Sequence, residues 1–178
     1  MASILRRASA AANEVHPRIY VGNFKASQDI QWLRENKITV IVNCTKDLKF
    51  CPTIENTFVK YTYRIPIDDN LELEEIDNLT RWAPEAVFSI VQHWREGHCI
   101  LIHCAAGMQR SAATAAMTIY VLQGYSDYKQ AISQVKSGRP IAFLPSANFK
   151  TSIQQFALYY DKQIRPLLIN GNNVLKND

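Results

Sequence analysis

Along the chain the apolar positions switch between two periods, and the switches mark out the elements. Arg18 to Gly22 alternates and ends in a Gly-Asn pair, a short strand closed by a turn. Ile30 and Leu33 mark the inner face of a brief helix over Asp29 to Asn36. Ile38 to Cys44 is largely β-branched, the pattern of a strand buried on both faces. Tyr61 to Ile67 alternates again and halts at Asp68-Asp69-Asn70, a cluster of turn formers. Helical spacing returns at Val87, Ile90, Val91 and Trp94, with Gly97 as its stop, and His98 to His103 is a second buried strand. From Ser111 to Leu122, Ala, Met and Leu occupy nearly every face, which predicts a helix buried almost all round. Two amphipathic helices follow. Ser126 is placed to cap the first, with Ala131, Ile132 and Val135 inward and Gly138 closing it. Ser146 is placed to cap the second, along which Phe149, Ile153, Phe156 and Tyr160 share a face. This order predicts an α/β domain: a small central sheet, mixed but mostly parallel, flanked by helices.

Composition narrows the picture without changing it. The 178 residues, 47% of them hydrophobic, suffice for one domain with a real core and argue against disorder for the bulk of the chain. With no internal repeat or linker, one domain is expected over 15–166, between an extension, 1–14, and a tail, 167–178. The extension is Ala- and Ser-rich with Arg6 and Arg7 but lacks the apolar stretch of a signal peptide. It reads as a weak transit-like segment, as disorder, or as a short amphipathic helix packing on the domain or on a second copy in a homodimer. The Asn-Gly-Asn-Asn run from Asn170 reads as fraying. No apolar run approaches the roughly 20 residues of a membrane span, so a cytoplasmic protein is expected. Lys and Arg total 20 against 16 acidic residues, a formal charge of +4 with no basic block. That favours anionic ligands and disfavours, without excluding, nucleic acid. Cys44, Cys51, Cys99 and Cys104 are too sparse for a disulfide scaffold and contain no CxxC pair, so they support no structural zinc.

One of those cysteines stands where chemistry is expected. The second buried strand runs into the buried helix through His103-Cys104-Ala105-Ala106-Gly107-Met108-Gln109-Arg110-Ser111. A strand entering a helix through a short loop gathers backbone N–H groups into one concavity, which binds tetrahedral oxyanions and lowers the pKa of a thiol within it. Cys104 is placed to be a thiolate, Arg110 to hold two phosphate oxygens bidentately, and Ser111 to donate to the sulfur. Gly107 lets the backbone turn without a side chain blocking the anion. Backbone amides from Ala105, Ala106, Gly107, Met108, Gln109 and Arg110 would line the site, with the larger Met108 and Gln109 side chains at its mouth.

The Cys-x5-Arg-Ser pattern resembles the cysteine-dependent phosphatases, and His-Cys-x-x-Gly-x-x-Arg-Ser resembles their dual-specificity branch. His16 to Lys25, Ile41 to Thr45, Arg64 to Asp69 and Arg139 to Pro145 resemble further segments of that branch, so the likeness spans most of the chain. Compact poxvirus-type members and small atypical cellular ones are especially similar, and a viral source would make virion association an alternative to the cytoplasm. The resemblance implies a protein-tyrosine-phosphatase-like fold and two-step hydrolysis through a phosphocysteine, with no metal or other cofactor. It also implies a general acid in the Asp pair: Asp69 is preferred, with Asp68 as the alternative. His103 would orient the loop and tune the thiol, and Asn43 would brace the neighbouring strand. Three departures stand out: Ser146 where many relatives carry Asn, Ala112 where Gly is common, and the bulk of Met108 and Gln109.

The expected substrates are phosphorylated proteins, at phosphotyrosine and phosphoserine/threonine. A loop without lysine argues against phosphoinositides and RNA 5′-phosphates. A phosphoprotein-binding module is a rival of a different class, disfavoured because Cys104 and Arg110 are both present. A low-pKa thiol is also oxidisable, and Cys44 on the adjacent predicted strand is the nearest resolving partner.

Overall fold

The structure, a computed structural model, describes residues 2–52 and 58–174. Among the described residues one sheet carries five strands: β1 Ala12–His16, β2 Ile19–Gly22, β3 Ile38–Asn43, β4 Tyr61–Arg64 and β5 Cys99–His103. Their spatial order is β1-β2-β5-β3-β4. Only β1 and β2 pair antiparallel; the other three pairs are parallel, as expected of a mixed, mostly parallel sheet. Central β5 and its neighbour β3 bury Ile100, Leu101, Ile102, Val40, Ile41 and Val42, which is why both read as unbroken apolar runs.

The sheet is covered on both faces. On one, α4 (Leu73–Arg95), α5 (Arg110–Gln123), α6 (Tyr128–Gly138) and α7 (Lys150–Tyr159) build the main core. On the other, short α2 (Phe24–Gln28) and α3 (Ile30–Glu35) close over Leu33, Ile38, Ile41 and Leu101. Helix α5 is the axle of the larger layer: Ala112, Ala113, Ala115, Ala116, Met117 and Ile119 are all buried, and the small side chains let it lie close to β5. Helix α1 (Ala2–Ser9) precedes the sheet, and a π-helical turn, Tyr160–Ile164, leads into α8 (Arg165–Val174). Among the described residues no helix is long and apolar enough to cross a membrane.

Where the elements depart from the sequence pattern, the reasons are local. Within the extension expected over 1–14, Ala2–Ser9 is helical and Ala12 onward is edge strand β1, too short and polar to betray an alternating pattern. The helix expected over Asp29 to Asn36 is α3, capped by Asp29, which accepts from Trp32 N–H; the short α2 before it was not expected, and Asn23 caps it by accepting from Ala26 N–H. Strand β4 ends at Arg64, not Ile67; Pro66 has no N–H, and Ile67 N–H turns back to Ile65 O at 2.9 Å. Asp127, not Ser126, caps α6. Ser146 is no cap either, since α7 starts only after Phe149. The chain expected to fray from Asn170 is helical through Val174, in a helix anchored by Arg165, which donates to Asp161 Oδ1 and to the carbonyls of Gly124 and Tyr125; 175–178 lie outside the described residues.

Candidate active site

Strand β5 ends at His103 and α5 begins at Arg110, so the loop between them crosses the C-terminal edge of the central strand. Its path is over-determined. Cys104 N–H donates to Gly22 O at 3.3 Å and Phe24 N–H to Ala105 O at 3.1 Å, stitching the loop to the end of β2. Fully buried Arg139 donates through Nε to Gly107 O at 2.6 Å and through Nη2 to Ala106 O at 3.4 Å. Its Nη1 reaches Asn13 Oδ1 at 2.6 Å, tying loop to edge strand. Phe143 N–H occupies Met108 O at 2.8 Å. Four successive loop carbonyls are thus engaged by Phe24, Arg139 and Phe143, while Gly107 N–H turns to the sulfur of Cys104 at 3.2 Å. Gly107 has a left-handed φ of 68°, and a Cβ there would stand 2.5 Å from the Gly22 carbonyl. No other residue fits that place.

The electrostatics favour the anion. Burial pushes the Cys104 thiol up, but the Ser111 hydroxyl and N–H, the Arg110 guanidinium and the Gly107 N–H outweigh it, and its pKa lies below the ordinary thiol value. Ser111 Oγ donates to Cys104 Sγ at 3.2 Å. Arg110 donates through Nη1 to Ile67 O at 2.9 Å, while its Nε is buried with no protein partner and can serve an anion. Cys44 contrasts: burial pushes it up to about 12, its sulfur lies 3.6 Å from Thr114 Oγ1, and it is a poor attacking group. His103 is fully buried and driven down to about 4, chiefly by burial, so it is neutral at working pH. Its ring nitrogens are buried without a hydrogen-bond partner of good geometry, while its carbonyl accepts Cys44 N–H at 2.8 Å.

The two aspartates face different partners. Asp69 Oδ1 accepts from Asn148 Nδ2 at 2.8 Å, and Asn148 N–H donates to Gln109 Oε1 at 3.0 Å. Gln109 Nε2 in turn donates to Leu144 O and Ser146 O. Expected at the mouth, the Gln109 side chain is instead buried, bolting the 144–148 segment to the β5–α5 loop and, through Asn148, to Asp69. Asp68 is held by Lys46 at 3.1 Å, and its N–H donates to Glu75 Oε2 at 2.7 Å. Burial pushes the Glu75 carboxyl up, but Lys46 and the Asp68 N–H outweigh it and hold it below its usual range. Asn43 braces this side: Oδ1 accepts from Thr45 N–H and Oγ1, and Nδ2 donates to Leu48 O at 2.7 Å, fixing the loop that carries Lys46.

Sequence reasoning missed Arg139, Asn148, Lys46 and Glu75 as site residues. Arg139 carried a signal, a lone arginine between Gly138 and Pro140 in an otherwise apolar closing segment. Asn148 sits two residues past Ser146, the position where Asn was looked for, and supplies an amide from there.

Fold and loop together define the class, a cysteine-based phosphatase. The model of the dual specificity phosphatase catalytic domain matches residues 19–158. Human dual specificity protein phosphatase 22 is 31% identical over 156 residues, covering 88% of this chain and 79% of the relative. Its mouse counterpart is 30% identical over 167 residues, covering 93% and 85%. The structure of human DUSP28 superposes with a TM-score of 0.73 at 23% identity, over 85% of this chain and 96% of that one, and shares the fold. The chain belongs to the dual-specificity phosphatase family. It is a hydrolase that dephosphorylates proteins at phosphotyrosine and phosphoserine/threonine.

Proposed function

We propose that Cys104 thiolate attacks the phosphorus of a phosphoprotein in line, forming the S–P bond as the ester P–O bond breaks, while Asp69 passes its proton to the leaving oxygen. Water then attacks the phosphocysteine; Asp69 carboxylate takes its proton, the S–P bond breaks and inorganic phosphate leaves. Loop N–H groups from Ala105 to Arg110 and the Arg110 guanidinium hold the equatorial oxygens as charge develops. Ser111 stabilises the departing thiolate. The observation that carries this reading is the pair of 3.2 Å hydrogen bonds, from Gly107 N–H and Ser111 Oγ, that converge on Cys104 Sγ.

Asp69 is assigned as the acid because Asn148 ties it to the catalytic loop, whereas Asp68 is engaged by Lys46. A loop without lysine offers no partner for the extra phosphates of phosphoinositides or RNA 5′-triphosphate. Free thiols at Cys44, Cys99 and Cys104 suit a reducing, cytoplasmic compartment. Turnover on a panel of phosphotyrosine and phosphoserine/threonine peptides, phosphoinositides and RNA 5′-phosphates tests the reading. Peptides are expected to lead in kcat/KM, and Cys104→Ser to lose turnover by about 10⁴-fold or more. A lead by the non-protein phosphates, or turnover surviving in Cys104→Ser, contradicts it.

A further inference from the structure

Far from the catalytic loop, at the opposite end of β5, three donors converge. Helix α4 ends at Arg95, and Gly97 takes a left-handed φ of 91°, folding the chain back so that His98 N–H reaches His93 O at 3.0 Å. That turn sets the two imidazoles beside one another, ring centroids 5.4 Å apart at 71°, with Glu96 between them in sequence. Glu96 Oε2 lies 3.4 Å from His93 Nδ1 and 3.9 Å from His98 Nε2, and one ligand atom from each of the three residues falls within 4.8 Å of the others. Ligands on a tetrahedral cation at the usual 2.0–2.1 Å lie about 3.3 Å apart, so small side-chain rotations close the set.

Two further features point to a ligand rather than to a plain ion pair. The His93 side chain is 9% exposed, and its Nδ1 is buried with no hydrogen-bond partner, facing the Glu96 carboxylate without hydrogen-bond geometry. The outward nitrogens are both occupied. Tyr63 Oη sits 2.7 Å from His93 Nε2, and Thr39 Oγ1 sits 2.9 Å from His98 Nδ1. Metal-binding histidines are held in this way, one nitrogen oriented by a hydrogen bond and the other presented. The C-terminal end of a 23-residue helix adds a favourable field for a cation.

We propose that His93, Glu96 and His98 form a binding site for one divalent transition-metal ion, of the zinc class, that pins the end of α4 to the sheet. Two imidazoles and one carboxylate select Zn²⁺ or Co²⁺ over Mg²⁺ and Ca²⁺, leaving a fourth position to water. The ligands sit on α4 and before β5, and their supports on β3 and β4, so a bound ion joins four elements. The five residues of β5 separate it from Cys104 by about 17 Å, so it takes no part in phosphate hydrolysis.

The test uses the full chain carrying Cys104→Ser, because a thiolate would itself capture zinc. Zn²⁺ titrated by calorimetry against a competing chelator is expected to bind one to one. Melting temperature should rise by about 5 °C or more when zinc stands at one hundred times Kd. Co²⁺ should give the visible bands of a four- or five-coordinate ion. Exposed Glu96→Gln and half-buried His98→Gln should each weaken binding by about 10²-fold with the metal-free melting temperature retained, and Tyr63→Phe by about tenfold. Binding unchanged in both Glu96→Gln and His98→Gln, binding lost instead on Cys99→Ala, or no zinc-dependent rise in melting temperature overturns the site.

Discussion

The loop proposed to carry the nucleophile and the one proposed to carry the acid meet at one site but are built on opposite plans. The first is held by backbone and by fully buried Arg139; its Cys104 is 2% exposed and its turn admits only glycine. The second stands on the surface, its two carboxylates positioned by single side-chain contacts, Asn148 to Asp69 and Lys46 to Asp68. A thiolate needs a dry, pre-organised nest, because every donor aimed at it is worth more away from water. An acid that must give up a proton and take one back within a cycle needs the reverse, access to solvent and a lighter hold. Arg110 joins the two, donating to Ile67 O just before the aspartates.

The rigid side should break hardest. Gly107→Ala drives a Cβ into the Gly22 carbonyl and demands a left-handed φ, so kcat/KM is expected to fall by on the order of 10³-fold, with loss of stability seen as a lower melting temperature. Near-normal activity would show that the loop is less determined than its contacts say. On the acid side, Asp69→Asn should cost about 10²–10³-fold with phosphoserine substrates, and Asp68→Asn only a few-fold. If Asp68→Asn brings the larger loss instead, the assignments exchange. The pH profile reports the nucleophile: activity should rise on the acidic side as Cys104, its pKa held below the ordinary thiol value by Ser111, Arg110 and the Gly107 N–H, ionises. His103, neutral above about pH 4, should not add to that rise. The smallest effect sharpens the contrast most. Asn148→Ala should slow phosphoserine by about tenfold while sparing an aryl phosphate whose leaving group needs no proton, and should add nothing to Asp69→Asn. Equal loss on both substrates would make Asn148 a prop of the loop, not of the acid.

The same contrast explains what could be read from sequence. Strand β5, its loop and α5 are contiguous and strongly patterned, so the strand-loop-helix that carries Cys104, Gly107, Arg110 and Ser111 was legible, as was the mostly parallel sheet. Contacts that join distant segments leave no periodic trace: Arg139 to Gly107, Asn148 to Asp69 and Lys46 to Asp68 each cross twenty or more residues. Edge strand β1 escaped notice because Ala12, Asn13 and Glu14 carry no alternation, and its pairing with β2 needs only backbone. Gln109 was misplaced because burial of its amide depends on carbonyls at 144 and 146 that the chain brings back only after α6.

The central claim is that Cys104 carries the phosphoryl group. Rapid quenching of Asp69→Asn with an aryl phosphate tests it most directly, since the good leaving group lets the first step run while hydrolysis lacks its base. Peptide mapping of the quenched enzyme is expected to find phosphate on Cys104, formed in a burst close to one per enzyme. Turnover with no phosphate on Cys104, or with phosphate on another residue, would contradict the account.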